Sequence, residues 1–140
     1  NTEIELLSLR TIVSQELGES AISEATIKIK AGDKVVHTAS EGNGPVNALD
    51  RALRKALSKI LEDTSVLERI RLFDYSVHIL DGERGTEARV KVSIIFTDGA
   101  RVWRTEGESE NIIEASYHAL ASGIVQGFGE VQSIGPLTSG

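Results

Sequence analysis

The chain has 140 residues and carries 15 Lys and Arg against 21 Asp and Glu, which gives a formal net charge of −6. It has no cysteine and no apolar run near the roughly 18 residues of a membrane span, which excludes disulfides, zinc–thiolate sites and a membrane helix. The acidic balance argues against binding to a phosphate backbone, so we expect a cytoplasmic protein that binds neither nucleic acid nor membrane. Because the sequence starts with Asn1 and lacks Met, we expect an excised fragment.

The first two predicted strands follow from alternating side chains. Residues 6–13 favour a strand whose apolar face carries Leu7, Leu9 and Val13. Residues 25–30 alternate apolar and charged side chains, which is the period of a strand with one face buried.

A third strand and a helix complete this first group. Residues 35–39 are predicted to return antiparallel after a short turn, as the second arm of a hairpin. Pro45 suits the first turn of a helix, because its missing N–H has no helical partner there. Apolar residues then recur with helical spacing from Val46 to Ile60, which predicts an amphipathic helix that runs to about Glu62.

The same order recurs in the second half of the chain. A strand at residues 72–79 is followed by strands at 88–92 and 101–105 and by a helix over about residues 111–126. The predicted apolar face of the first of these strands consists of Phe73, Tyr75, Val77 and Ile79.

The two halves therefore form an internal repeat. The offsets between matching residues are 66 from Leu6 to Leu72, 63 from Ala25 to Ala88 and 65 from Gly42 to Gly107. We predict an α+β fold of two tandem βββα units, residues 4–65 and 68–128, with antiparallel or mixed sheets each covered by one helix. Residues 129–140 lack a period and are expected to form a loose tail. Six strands with two helices leave sheet surface uncovered, so we also expect a homodimer.

No catalytic or metal-binding constellation stands out in the sequence. The three histidines, His37, His78 and His118, lie far apart and form no local ligand pair. Residues 42–44 resemble the start of a dinucleotide-binding loop, but Asn47 occupies the position of its third glycine. We therefore expect no catalytic residue, no metal and no cofactor in this chain.

Two predicted helix starts, each entered through a glycine, are the best candidates for a binding site. Unpaired N–H groups and the helix dipole can hold a small carboxylate there, and apolar residues just inside would suit an aliphatic side chain. Together these features describe a branched-chain amino acid. The alternative is that Ser109 or Asn111 merely caps a helix and that the glycines serve turns. The candidates are Gly42, Asn43, Gly44, Pro45, Val46, Ala48 and Leu49 at the first start, and Ser109, Glu110, Asn111, Ile112, Ile113 and Ala115 at the second.

Two sequence motifs carry a family resemblance. Residues 41–53, EGNGPVNALDRAL, and 109–116, SENIIEAS, resemble signatures of the C-terminal regulatory domain of the 2-isopropylmalate synthase/citramalate synthase family. Shorter matches lie at residues 72–75, 80–82 and 85–88. The second motif is more similar to the citramalate synthase branch than to the isopropylmalate synthase branch.

The resemblance, which extends over about residues 5–128, implies a role in feedback regulation. The full enzyme would be an acyltransferase that condenses acetyl-CoA with pyruvate to citramalate for isoleucine biosynthesis. That reaction would take place on an N-terminal TIM-barrel domain with a divalent metal, and this chain lacks that domain. The chain itself would be a homodimeric module that binds isoleucine as allosteric inhibitor near the unit and subunit interfaces. Residues 42–45 would belong to one wall of the pocket and residues 109–113 to the other.

Three other interpretations remain open at this point. The chain could be the leucine-sensing domain of a 2-isopropylmalate synthase, which differs in the amino acid it selects. It could be a dimerisation scaffold that binds no small molecule. A free-standing enzyme has the least support, since no nucleophile and base are placed together in the sequence.

Overall fold

The computed structural model describes residues 2–14, 22–80, 89–127 and 131–134. The chain groups into two compact units, Asn1–Thr64 together with the residues from Ile134 onward, and Ser65–Ser133. The predicted α+β fold, in which three antiparallel strands and a helix occur twice, is confirmed. The elements are β1 (Thr2–Ser14), β2 (Ile22–Ala31), β3 (Lys34–Gly42), α1 (Pro45–Ser58), α2 (Ser65–Arg69), β4 (Arg71–Ile79), β5 (Val90–Thr97), β6 (Val102–Ser109), α3 (Ile112–Gly127) and β7 (Val131–Ile134).

In the first unit, β2 lies between β1 and β3, and both pairings are antiparallel. The alternation in β2 places Ala25, Ile27 and Ile29 on one face, where all three are fully buried. Helix α1 packs on this face, chiefly over β2 and β3, and places an apolar stripe that includes Leu49 and Leu53 against it. The core of the unit therefore lies between one face of the sheet and one helix.

The second unit repeats this plan with the strand order β4-β5-β6, again antiparallel. Val92, Ile94 and Phe96 of β5 are fully buried under α3. Helix α3 packs chiefly on β5 and β6. It carries Gly123 at the place where a Cβ would lie 1.9 Å from the ring of Phe96, so the missing side chain lets helix and ring pack closely.

The structural repeat has an offset of 67 residues in the second strand, the third strand and the helix. The Thr38 hydroxyl donates to the Ala52 carbonyl at 2.8 Å, and 67 positions later the Thr105 hydroxyl donates to the Ala119 carbonyl at 2.7 Å. The offset of 65 that pairs Gly42 with Gly107 is therefore wrong, because the sequence match followed a Glu-Gly pair and not the strand register. The residue predicted to match Ala25, Ala88, lies outside the described residues.

Each first strand contains a β-bulge, and the bulges correct the predicted faces. The register of β1 shifts between Leu6 and Ser8, and that of β4 shifts between Leu72 and Asp74. The residues at the bulges therefore do not lie on the sheet faces predicted for them, since one extra residue reverses the alternation of side chains. In β1, Leu6, and not the predicted Leu7, is fully buried on the face of the sheet that α1 covers.

Leu9 and Val13 do share the helix side after the bulge, but Val13 is exposed. In β4, Phe73 lies at the bulge and is exposed, whereas Tyr75, Val77 and Ile79 share one face.

Helix α1 ends earlier than predicted. It stops at Ser58, where Lys59 and Ile60 donate to carbonyls only three residues back, and the Lys34 ammonium donates to the Lys59 carbonyl at 2.6 Å. The short helix α2 that follows was not predicted.

Helix α3 begins and ends within one residue of its predicted bounds. The tail expected to be loose contains β7, a four-residue strand without a recognisable sequence period.

Three glycines are required by backbone geometry. Gly32 and Gly99 occupy matching hairpin turns with φ of 61° and 94°, a region that side chains disfavour. Gly107 lies within β6, and a Cβ there would lie 2.1 Å from the Ala115 carbonyl oxygen of α3. Gly107 therefore allows the close approach of helix and strand, and it does not stand at a helix start as the sequence suggested.

Candidate effector site at the helix starts

The start of α1 has no side-chain cap. Gly44 is its N-cap residue, with an extended backbone at φ −171° and ψ 165°, and Pro45 occupies the first helical position. No atom lies within 4 Å of the place where a Cβ of Gly44 would be. The Asn47 amide oxygen accepts the N–H of Asn43 at 3.3 Å, and therefore points back along the chain. The N–H groups of Val46 and Asn47, in the first turn of the helix, therefore have no capping side chain.

The apolar candidates at this start belong to the core of the unit. Ala48 and Leu49 are fully buried and Val46 nearly so. A Cβ on Gly42 would lie 2.5 Å from the backbone nitrogen of Ala48, which shows how closely β3 and α1 approach each other. A ligand at this helix start would therefore contact the backbone of residues 43–47 before it reached these side chains.

The start of α3 is capped by its own side chains. The Asn111 amide oxygen accepts the N–H groups of Ile113 at 2.8 Å and Glu114 at 3.4 Å. The Ser109 hydroxyl oxygen accepts the N–H of Asn111 at 3.1 Å. This is the capping arrangement that the sequence offered as the alternative to ligand binding, and it occupies the N–H groups of Ile113 and Glu114 in the first turn.

The remaining candidates at this start differ in burial. Ala115 is fully buried, whereas Glu110 and Ile112 are exposed.

The two helix starts also differ in charge. Helix α1 has no acidic residue in its first turn, whereas α3 carries Glu114 there. Because a helix N-terminus holds about half a positive charge, Glu114 compensates the dipole of α3 while that of α1 is left uncompensated. A carboxylate is therefore better accommodated at the start of α1. The prediction that residues 109–113 contribute to the same site stays a prediction.

A separate polar groove of about 460 Å³ lies at the outer edge of β3. The Lys55 ammonium donates to the Ala39 carbonyl at 3.0 Å, and Arg51 reaches the Glu41 carbonyl at 3.5 Å. These two cations are not among the predicted site residues, although their spacing of four residues on α1 places them on one helix face. None of the predicted site residues lines this groove, whose walls are formed by Glu24, Ala39, Ser40, Glu41, Arg51 and Lys55.

In the part of the chain that the structure describes, no three His, Asp or Glu side chains are grouped so that they could hold a metal ion. Across residues 2–14, 22–80, 89–127 and 131–134, no helix is long and apolar enough to span a membrane.

Comparison with known proteins identifies the family. The profile of the LeuA allosteric (dimerisation) domain matches residues 1–127. The chain belongs to this family. Of the motifs that suggested it, residues 41–53 and 109–116 lie at the two helix starts, whereas residues 81–82 and 85–88 lie outside the described residues.

Relatives within the family include two named (R)-citramalate synthase. The chain is 48% identical to that of Geobacter sulfurreducens over 106 residues, which are 76% of this chain and 20% of the relative. It is 46% identical to that of Aquifex aeolicus over 117 residues, 83% of this chain and 22% of the relative. A 2-isopropylmalate synthase of Methanocaldococcus jannaschii is 29% identical over 107 residues, 76% of this chain and 18% of the relative. The chain thus spans about a fifth of the length of these relatives.

Proposed function

We propose that this chain is the feedback-regulatory module of a citramalate synthase, that it binds isoleucine as allosteric inhibitor, and that it acts as a homodimer in the cytoplasm. The family description supports an allosteric and dimerising role. The relatives named (R)-citramalate synthase, at up to 48% identity, support that branch. The isoleucine effector follows from the resemblance stated above, in which the end product of the pathway inhibits its first enzyme.

The observation that carries the proposal is the uncapped start of α1. The N–H groups of Val46 and Asn47 would donate to the isoleucine carboxylate, and Gly44 leaves room for that carboxylate beside the backbone. A helix dipole without an acidic residue in its first turn adds to the attraction.

The module would act on a separate catalytic domain. That domain, an acyltransferase that joins acetyl-CoA and pyruvate, would carry the divalent metal, and this chain would contribute regulation alone. Isoleucine shifts the enzyme toward an inhibited state only as far as its affinities for the two states differ. A coupling free energy of about 1–3 kcal/mol would change substrate affinity about 5- to 150-fold.

A leucine-sensing module of a 2-isopropylmalate synthase is the second candidate, supported by the relative from Methanocaldococcus jannaschii. Leucine and isoleucine differ in the position of one methyl group, and a fitted pocket discriminates at that level by about 1–3 kcal/mol. The ligand that binds more tightly therefore decides between the two candidates.

Thermal unfolding of the chain with isoleucine, leucine, valine and pyruvate tests the proposal. A ligand at about 100 times its Kd stabilises the folded state by about 2.7 kcal/mol. For a domain of this size we expect the midpoint to rise by roughly 5–10 °C with isoleucine. A leucine-selective rise would support the second candidate, and a folded dimer that responds to none of the four would be a scaffold.

A matched pair of variants tests the location of the site. Gly44→Val adds a side chain where no atom lies within 4 Å, so we expect the fold to persist and the isoleucine response to disappear. Asn111→Val makes the corresponding change at the start of α3 and should lower the midpoint without ligand while the response to isoleucine remains. The opposite pattern would place the effector at α3.

A further inference from the structure

Exposed apolar side chains are concentrated on one strand of the second unit. Of the large hydrophobic residues that the structure shows exposed, five fall between residues 73 and 80. They are Phe73, Tyr75, Val77, Ile79 and Leu80. A monomeric soluble domain rarely leaves so many neighbouring apolar side chains in water, because each keeps its hydration cost.

The strand register shows why these side chains are uncovered. Tyr75 stands beside Ile94, and Val77 beside Val92, so they share the face of the sheet that α3 covers on β5 and β6. Helix α3 lies over those two strands and leaves β4 uncovered beside it. Ile79 continues the row at the end of the strand, and the exposed Phe73 precedes the row at the bulge, where it has no partner on β5. We call Phe73, Tyr75, Val77 and Ile79 the β4 strip.

The matching strand of the first unit is different in composition and burial. The bulges align β1 with β4 at an offset of 66, which matches Leu9 with Tyr75 and Thr11 with Val77. Leu9 and Thr11 are both half-buried, whereas both of their β4 counterparts are exposed. Val13, which matches Ile79, is exposed as well, so the two strands differ at Tyr75 and Val77 and not along the whole strip.

Building on the homodimer of the proposed function, we infer that the β4 strip forms the centre of the interface with a second copy of this chain. A two-fold interface uses the same patch on both copies, so a single interface buries the strips of both chains. The strip supplies aromatic and aliphatic anchors, the side chains that dominate binding energy at interface centres. β4 is also an edge strand of its sheet, so no further strand of the described second unit blocks the approach of a partner.

The size of the strip fits the centre of an interface and not the whole of it. Four large side chains expose on the order of several hundred Å² of apolar surface. A stable interface buries about 800 Å² on each partner, so a surrounding polar rim is needed as well. Asp74, Ser76 and His78 alternate with the strip along β4 and therefore point to the opposite face of the sheet, so the rim has to come from residues outside β4.

Two variants of the full chain test the inference by sedimentation equilibrium. Ile79→Lys places a charge within the strip, and Val102→Lys places the same charge on β6, outside the strip. The two residues are matched in exposure at 71% and 70%, so neither substitution removes a core contact. We expect Ile79→Lys to weaken dimerisation roughly 30-fold or more and Val102→Lys to leave it within about 3-fold. Equal effects of the two variants, or a wild-type Kd for Ile79→Lys, would overturn the inference.

Hydrogen exchange of the unmodified chain gives a second readout that needs no variant. The amides of Tyr75 and Val77 should exchange more slowly at concentrations that favour the dimer than after dilution. Protection of these amides that does not change with concentration would overturn the inference. A chain that is monomeric at every concentration would instead overturn the homodimer of the proposed function. If the Ile79→Lys chain dimerises as tightly as wild type, only the assignment of the interface to the β4 strip is overturned.

Discussion

The two units have the same framework, and their helix starts and first strands are among the places where they differ. The hairpin glycines, Gly32 and Gly99, and the threonine-to-helix hydrogen bonds recur 67 residues apart. The helix starts do not match, since α1 is uncapped at Gly44 and α3 is capped by Asn111. The first strands do not match either, because β4 exposes Tyr75 and Val77 where Leu9 and Thr11 of β1 are half-buried. Residues that repeat thus maintain the shared framework, and the helix starts and first strands are the places to which we assign effector binding and dimerisation.

The largest expected effect comes from exchanging one framework residue between the units. Ser40 and Gly107 occupy matching positions on β3 and β6, but a Cβ at Gly107 would lie 2.1 Å from a helix carbonyl oxygen. Since backbone atoms would have to move, Gly107→Ser should lower the free energy of unfolding by about 3 kcal/mol. Chemical denaturation followed by the fluorescence of Trp103, the single tryptophan, measures this change.

The reverse exchange, Ser40→Gly, serves as the control. It removes a side chain without a clash and should cost only about 0.5–1 kcal/mol. A Gly107→Ser chain as stable as Ser40→Gly would contradict the close packing described for α3.

A smaller and equal effect is expected from the two threonines. Thr38→Val and Thr105→Val each remove one buried hydrogen bond to a helix carbonyl and keep the side-chain volume. The carbonyl retains its helical partner, so each variant should lose about 1 kcal/mol of unfolding free energy. Urea denaturation followed by circular dichroism compares them, and a difference above 1 kcal/mol would mean that the framework is not shared.

Exchange of the two N-cap residues should change stability less than the substitutions on the strands. Gly44→Asn adds a capping oxygen to α1, and Asn111→Gly removes one from α3. We expect a gain and a loss of a few tenths of a kcal/mol, because glycine is itself an acceptable N-cap residue. Thermal unfolding measures both, and a loss from Gly44→Asn would show that α1 already has a cap.

The hairpin turns provide a pH-dependent comparison. The Asp98 carboxylate accepts the N–H groups of Arg101 at 2.7 Å and Ala100 at 3.0 Å, whereas Ala31 occupies the matching position of the first unit. These backbone hydrogen bonds, with the Arg101 guanidinium, lower the pKa of Asp98 from 3.8 to about 2.

Because the folded-state pKa is the lower one, the stabilisation is present above pH 3.8 and is lost as the pH falls through about 2. Wild type should therefore be slightly more stable than Asp98→Asn at pH 7, and the gap should close between about pH 4 and 2. A gap that stays constant in unfolding experiments across that range would contradict the carboxylate's role.

Periodicity and repetition were sufficient to predict the order of the strands β1–β6 and the two long helices, both hairpins and the bounds of α3, but neither α2 nor β7. Three features could not be predicted, for physical reasons. The bulges near Leu7 and Phe73 depend on strand pairing, which a single strand does not encode, and the pairing also sets the 67-residue offset. The end of α1 coincides with hydrogen bonds to carbonyls three residues back and with a contact from Lys34, 25 residues away in sequence, and helical periodicity shows neither. The role of Gly107 depends on how closely a helix approaches, so its sequence neighbourhood suggested a helix start instead.

The sequence predicted the candidate site as a set of residues but did not rank the two helix starts. The sequence offered both helix starts equally, and the distinction between them rests on where the amide oxygens of Asn47 and Asn111 point. One accepts the N–H of Asn43, and the other the first turn of its own helix. Side-chain direction of this kind is set by local geometry and is not visible in residue order.

The most direct test of the account is a titration of the isotope-labelled chain with isoleucine, observed through its backbone amide NMR signals. We predict saturable shifts of the Val46 and Asn47 amides, with those of Ile113 and Glu114 unchanged because Asn111 already occupies them. Shifts confined to Ile113 and Glu114, or no saturable shift at any amide, would contradict the assignment of the effector to the uncapped helix.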